Sequence, residues 1–468
     1  MNPEKTMNYG YVWCVCLVVA MGGFLFGYDW VVIGGAKPFY EAFFGIDEPW
    51  LSGWTMSSAL VGCIIGAAFV GVISDRYGRK RPLILSGFLY MISALGCALV
   101  SDLAWFNFFR ILGGVGIGIS SSLAPMFIAE MAPAESRGRL VTINQLTIVV
   151  GILAAQLINL AIAQPVPEGS TVPMILESWN GQLGWRWMVG MVSVPASLFF
   201  LLMFLVPESP RWLVKAGANA RAENILKRVG GEAYARDEIR EIEATFDREA
   251  QTKAPLRELC DKRYIPVLLL GIYLAVYQQW CGINIIFNYA ADIFKEAGFG
   301  INGMLLNIVI TGVVNLAFTF VAIATVDRWG RRPLMLFGAA GLGVIYGIMG
   351  IFELKGIAML TIVLAAIACY AMTLAPVVWV VISEIFPNRV RGTAMSLAVC
   401  FLWIGCAALT FTFPLLKENF GMTNTFGLYG MISLVSFFII FFFLKETKGK
   451  SLEKIEQNFT GIESEHEA

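Results

Sequence analysis

The sequence predicts an all-α polytopic membrane protein, with twelve transmembrane helices in two pseudo-symmetric six-helix bundles and a cytoplasmic helical linker between them. Three observations predict it. Of 468 residues, 57% are hydrophobic and only 15% charged, against about 25% charged in a soluble domain. The mean hydropathy is +0.69, so the chain has too little polar surface to cover itself in water. Apolar runs recur from Tyr11 to Leu444, each of about 20 residues, enough for a helix to cross a hydrocarbon core of roughly 30 Å. The second half of the chain also repeats the charged motifs of the first.

The spans fall at 11–35, 52–73, 82–101, 104–129, 140–163, 185–206, 264–290, 303–326, 333–352, 357–382, 393–416 and 424–444. The first follows Lys5 and could pass for a signal peptide, but no small-residue cleavage site follows it, so it reads as a membrane helix. Basic residues set the orientation. Arg76, Arg79, Lys80 and Arg81 follow span 2, and Arg137 and Arg139 follow span 4. Arg328, Arg331 and Arg332 follow span 8, and Arg389 and Arg391 follow span 10. Lys445, Lys448 and Lys450 lie in the tail, whereas 161–184 has no Lys or Arg. All the basic loops fall on one face, which places both termini in the cytoplasm.

The domain plan follows: an N-terminal six-helix bundle at 1–206, a cytoplasmic linker at 207–263, a C-terminal bundle at 264–444 and a cytoplasmic tail at 445–468. Helical spacing of Ile239, Ile242 and Phe246 predicts short amphipathic helices in the linker. The bundles repeat each other. Asp75-Arg76-Tyr77-Gly78-Arg79 returns as Asp327-Arg328-Trp329-Gly330-Arg331, and Glu130-Met131-Ala132-Pro133 as Glu384-Ile385-Phe386-Pro387. Parallel repeats of this kind build membrane carriers whose solute site lies at the midplane between the halves.

Several chemistries are excluded. Net charge is zero, which gives no footprint for nucleic acid. The nine cysteines mostly sit inside apolar runs without metal-ligand spacing, and read as small packing residues. The single histidine, His466, lies in the polar tail. No histidine metal site or membrane-embedded histidine relay is therefore available, and any proton chemistry must use carboxylates. There is no phosphate loop, no glycosidase carboxylate pair, and no nucleophile–base arrangement. No enzyme activity, metal or cofactor is expected.

At these motifs the chain resembles the sugar porter family of the major facilitator superfamily, and among its members the bacterial proton-coupled xylose and monosaccharide symporters. The resemblance covers almost the whole length. It rests on Gly22-Gly23-Phe24-Leu25-Phe26-Gly27-Tyr28-Asp29, Arg110-Ile111-Leu112-Gly113-Gly114, Pro207-Glu208-Ser209-Pro210-Arg211, Gln278-Gln279-Trp280-Cys281-Gly282-Ile283-Asn284, Asn315, the stretch from Trp379 to Arg391, and Lys445-Glu446-Thr447. It implies a proton-coupled monosaccharide symporter, for a pentose or hexose, working by alternating access in a bacterial inner membrane. The expected partners are a small sugar, the proton and membrane lipid, with the chain acting as a monomer. A facilitative uniporter is the near alternative, and a non-transporting sugar sensor a remote one, because only a short tail follows span 12.

Asp29 and Arg110 are charges inside apolar spans. Each costs roughly 2.5–3.5 kcal/mol at the bilayer centre on insertion scales, so they are expected to pair and to act as a proton switch. The resemblance sharpens this: proton-coupled members carry an aspartate after Phe-Gly-Tyr, facilitative ones usually an asparagine. Gln278, Gln279 and Asn284 lie within two helical turns but not on one face, which predicts a helix bent near Gly282. Their amides donate and accept, as sugar hydroxyls require, and Gln145 and Asn315 are expected to join them. The resemblance adds Trp379 and Trp403 as flat faces for the sugar ring, with Phe26 as a further wall.

The cytoplasmic motifs read as gate latches. Glu130 and Glu384 end spans 4 and 10; Arg79 and Arg331, with Arg137 and Arg391, are expected to pair with them when the site faces outward. The resemblance adds Glu208, Arg211 and Glu446 to that network. The chain departs from the family pattern at Ile152, Leu402, Asn288 and Ala375. These reshape the pocket and leave the sugar open among xylose, arabinose, glucose, galactose and a cyclitol.

Overall fold

The structure, a computed structural model, describes residues 7–167, 170–252, 261–387 and 390–449. Lys5, Cys260, Arg389, His466 and the tail from Lys450 onward lie outside the described residues, as does the side chain of Asp327.

Among the described residues all regular structure is helical. An apolar chain in lipid must satisfy its backbone hydrogen bonds internally, and the helix does so within each segment. The first spans are α1 (Tyr9–Phe44), α2 (Pro49–Tyr77), α3 (Lys80–Leu99), α4 (Leu103–Met131) and α5 (Ala134–Ile162). Asp102 starts α4 by accepting from the backbone N–H groups of Ala104 and Trp105 at 3.0 and 3.1 Å. After α5 comes a short helix, α6 (Val172–Glu177), and one π-helical turn, Asn180–Gly184. The sixth span runs on from there through α7 (Trp185–Gly190) and α8 (Ser193–Met203).

The linker forms α9 (Pro210–Lys215) and α10 (Asn219–Thr252), the latter interrupted at Gly230 and Gly231. Leu213, Val214, Ala222 and Ile242 make its small core, and Ile239 and Phe246 pack on it. The predicted amphipathic face of the linker thus closes on α9.

The second set begins with α11 (Ile265–Trp280), α12 (Ile283–Asn288) and α13 (Ala290–Glu296). It continues with α14 (Ile301–Trp329), α15 (Arg331–Ile351), α16 (Gly356–Met372), α17 (Leu374–Ile385) and α18 (Arg391–Phe443). Eleven stretches of described helix are long and apolar enough to cross a membrane. The last of them, α18, is broken by Gly421 at φ 79° and holds two spans, which makes twelve crossings. Exposed apolar side chains such as Leu201, Ile351, Ile357 and Phe442 stud these helices; a water-soluble monomer rarely shows so much apolar surface.

Two differences from the sequence expectation have local causes. The span at 357–382 is not one helix but two, α16 and α17, parted at Thr373. Pro376 has no N–H to give the carbonyl one turn earlier, and Thr373 turns its hydroxyl back onto the Cys369 carbonyl at 2.5 Å. The segment before span 6 is not plain loop, because Asn180 folds back to exchange hydrogen bonds with the backbone of Gln164 at 2.8 and 2.7 Å.

The described chain forms two compact units. Unit 1 comprises Met1–Trp30, Val61–Ala154 and Val189–Lys253; unit 2 comprises Val31–Leu60, Ala155–Met188 and Ala254–Ala468. Unit 1 packs α3 against α4 and α8 around Tyr90, Phe106, Phe127 and Phe199, all fully buried. In unit 2 the largest interface joins α15 and α18, where Tyr346 stacks on Phe426 with centroids 5.8 Å apart.

Candidate functional site

Unit 1 holds the charged pair. Asp29 on α1 and Arg110 on α4 are each 4% exposed, with Arg110 Nη1 3.3 Å from Asp29 Oδ2. No other ion pair of either residue is present among the described residues. Burial of both charges leaves each dependent on the other, and neutralising Asp29 removes the counter-ion of Arg110. Phe26, one turn before Asp29, meets Trp30 edge-on with centroids 5.7 Å apart. Gln145 is half-buried on α5.

Unit 2 holds the amides. The seventh span breaks after Trp280, and Gly282 takes φ 89° before α12 resumes. An L-residue rarely adopts that conformation, and a Cβ there would lie 3.0 Å from the Tyr429 ring. The break lets residues five and six apart point together. Asn284 Nδ2 donates to Gln279 Oε1, Gln279 Nε2 donates to Gln278 Oε1 at 3.4 Å, and Gln278 Nε2 donates to the Ala375 and Leu374 carbonyls at 3.2 and 3.4 Å. Those carbonyls lie just past the break at Thr373. Two interrupted helices are thus joined by a line of three amides, each under 9% exposed. Asn315 is buried on α14 and Trp403 on α18, while Trp379 on α17 is 38% exposed.

The repeated charged motifs form two copies of one device, each inside a single unit. In unit 1, Arg79 Nη2 is 2.9 Å from Glu130 Oε1, and the Ser209 hydroxyl donates to Glu130 at 2.5 Å. Glu208 accepts the backbone N–H groups of Arg79 and Lys80 at 2.9 and 3.1 Å, capping α3. In unit 2, Arg331 Nη2 is 3.2 Å from Glu384 Oε1, and the Thr447 hydroxyl donates to Glu384 at 2.5 Å. Glu446 accepts the N–H groups of Arg331 and Arg332, both at 3.0 Å, capping α15. Even the next residues correspond: Lys80 donates to the Phe204 carbonyl and Arg332 to that of Phe441, at 2.8 and 2.7 Å.

The glycine of each motif follows from this geometry. Gly78 has φ 89° and Gly330 φ 91°, and a Cβ on either would strike the Glu208 or Glu446 carboxylate. Burial would raise the Glu446 carboxyl. The backbone N–H donors of Lys448, Arg331, Arg332 and Thr447 outweigh that and hold it below the usual carboxylate range.

The remaining predicted latch residues are placed differently. Arg391 donates Nε–H to the Phe386 carbonyl at 3.1 Å. Arg137 is exposed at the start of α5, where its charge acts on Glu238 of the linker. Arg211 lies over the Phe246 ring at 5.6 Å. Ser209 and Thr447 escaped the sequence reading; the signal was a hydroxyl following the glutamate in both repeats.

Residues 15–459 match the family described as "Sugar (and other) transporter". The chain belongs to the sugar transporter family. Within that family it is 36% identical to the D-xylose-proton symporter of Escherichia coli strain K12, covering 97% of each chain. It is also 36% identical to the arabinose-proton symporter of Bacillus subtilis strain 168, covering 97% of this chain and 96% of that one. A solved structure, the inward open conformation of the xylose transporter XylE from E. coli, superposes with a TM-score of 0.84 at 34% identity, covering 96% of this chain and all of that one. The fold of this sugar transporter family member is accordingly that of the major facilitator superfamily, in which a proton:xylose symporter matches at a TM-score of 0.79.

Proposed function

We propose that this protein is a proton-coupled monosaccharide symporter of a bacterial inner membrane, with both termini in the cytoplasm. The observation that carries the reading is the buried pair of Asp29 and Arg110. A carboxylate that is almost fully buried has one charged partner, so gaining a proton frees Arg110 and changes the balance of forces on α1 and α4. The two relatives named as proton symporters support the coupling. They are equally similar, so the sugar is assigned only as a pentose or hexose.

Gln278, Gln279, Asn284 and Asn315 supply hydrogen bonds to sugar hydroxyls, with Gln145 as a further partner. Trp379, Trp403 and Phe26 supply apolar faces for the ring. Arg79–Glu130 and Arg331–Glu384, with Arg137, Arg391, Glu208 and Glu446, bias the cytoplasmic gate. Both pairs are largely shielded from water, with side chains 10% and 9% exposed in the first and 16% and 22% in the second, so breaking either leaves a poorly solvated charge, and the duplicated networks act together on a two-state balance.

The test is reconstitution in liposomes, with uptake of labelled xylose, arabinose, glucose, galactose and inositol recorded with and without an inward proton gradient. Accumulation above equilibrium that a protonophore abolishes is the expected result and identifies the sugar. Equilibration indifferent to the gradient would leave a uniporter, and no movement of any of the five would overturn the substrate class.

A further inference from the structure

The far end of α1 carries a buried lysine with no part in the proton pair or the line of amides. Lys37 is 5% exposed. Its ammonium lies 2.7 Å from Glu41, one turn on, and 2.9 Å from Asp292 of α13. Glu41 also accepts from the Ser52 hydroxyl of α2 at 2.5 Å. The ammonium sits 5.5 Å from the centre of the Tyr289 ring, and Tyr289 donates to the Thr410 carbonyl of α18 at 2.7 Å. One charge cluster therefore ties α1 and α2, from the first six spans, to α13 and α18, from the second six. Every residue of the cluster lies in unit 2, which takes in α1 from Val31 and α2 up to Leu60.

Other bonds cross between the same two sets of spans within this unit. Val166 and Asn302 exchange hydrogen bonds at 3.3 Å, and a Cβ on Gly34 would lie 2.8 Å from the Asn288 carbonyl oxygen. With the termini cytoplasmic, this is the outer end of the molecule. A carrier that works by alternating access must part these segments once per cycle to admit solute from outside.

The cluster is built to be released. If Lys37 leaves Asp292 it keeps Glu41, so no buried ammonium is stranded without a counter-ion, the case that costs most. Asp292 is the more exposed partner, with 24% of its side chain accessible. It borders a cavity of about 290 Å3 that also meets Glu41, Ser52 and Lys417, so water can take over its solvation. An apolar seal would have no such intermediate.

We propose that Lys37 is the ionic latch of the outer gate: its bond to Asp292 holds the first six spans onto the second at the outer end, and breaking it is a step of the transport cycle. The inference rests on the transport reading above, but its test needs neither sugar nor proton movement.

The test is hydrogen exchange by mass spectrometry on the full chain in lipid nanodiscs. It compares wild type with Asp292→Asn, which leaves the Lys37–Glu41 pair intact, and with Lys37→Arg, which keeps the charge. Asp292→Asn is expected to speed exchange in peptides covering 283–296 and 49–56 by at least about tenfold, with exchange in 80–99 unchanged. Lys37→Arg should stay within about twofold of wild type. Unchanged exchange at 283–296 in Asp292→Asn would overturn the latch while leaving the symport reading intact. Faster exchange throughout the chain would also overturn it, because the pair would then be holding the fold and not a gate. Should Asp292→Asn fail to give monodisperse protein, Lys37→Gln, which breaks the same bond from its other side, carries the same expectation at 283–296 and 49–56 and the same refutation.

Discussion

Replacing Asp29 by asparagine changes one oxygen for an amide at nearly constant volume, so its effects are electrostatic. At 3.3 Å and an effective dielectric of 20, the attraction between Asp29 and Arg110 is about 5 kcal/mol. Asparagine still offers Arg110 an acceptor, and a hydrogen bond to a charged group retains about 1.5–3 kcal/mol. The variant should therefore lose about 2–3.5 kcal/mol of stability, read as a lower melting temperature of protein in detergent, and should still fold. Its transport should change in kind. A proton moving through 100 mV supplies about 2.3 kcal/mol, enough for roughly 50-fold accumulation of a neutral solute. Wild-type vesicles should approach that limit, while Asp29→Asn vesicles should fill only to the outside concentration at any gradient. Gradient-driven accumulation that survives in Asp29→Asn would refute the reasoning and move the proton site to another carboxylate.

Three further outcomes follow from the geometry. Glu446→Gln should be less stable than wild type at neutral pH. Because the folded carboxyl titrates below its ordinary value of 4.5, its contribution is fully present above that value. It fades as pH falls through the lower folded value, so melting curves of the two proteins should converge in acid. Gly330→Ala should cost about 1–2 kcal/mol from its left-handed backbone alone, and more where the new methyl meets Glu446, seen as a reduced yield of monodisperse protein. Gln279→Ala should raise the KM for sugar with little loss of stability. Gln278→Ala should lower stability by about 1–3 kcal/mol as well, because it strips a donor from the Leu374 and Ala375 carbonyls; equal melting temperatures for the two variants would refute the distinction.

How much of this was legible depends on how local each signal is. Asp29 and Arg110 stood out because a charge in an apolar run has no cheap explanation, whatever the rest of the fold. The bend at Gly282 was legible from amides five and six apart, which cannot share a face of a straight helix. The break at Thr373 carried the same kind of signal in Pro376, but the apolar run around it masked the interruption. Glu208 and Glu446 were reached only through resemblance, because a carboxylate that caps a helix over a hundred residues away leaves no spacing to read. Lys37 was passed over for a related reason. A lysine at the end of a span reads as snorkelling to the interface, and its partner Asp292 lies in the other repeat.

The paired caps also bear on the order in which the protein can be made. Every residue of the first device, from Arg79 to Ser209, has been synthesised before the second set of spans begins, so that half can lock this end while the rest is still on the ribosome. The second device cannot close until Glu446 and Thr447 emerge, after the last span has entered the bilayer. Until then the start of α15 lacks its cap and Glu384 lacks the hydroxyl of Thr447. A protease or chaperone sampling nascent chains would therefore find a finished first half beside an unfinished second, and a stop after Leu444 would leave every span in place with one end unfastened.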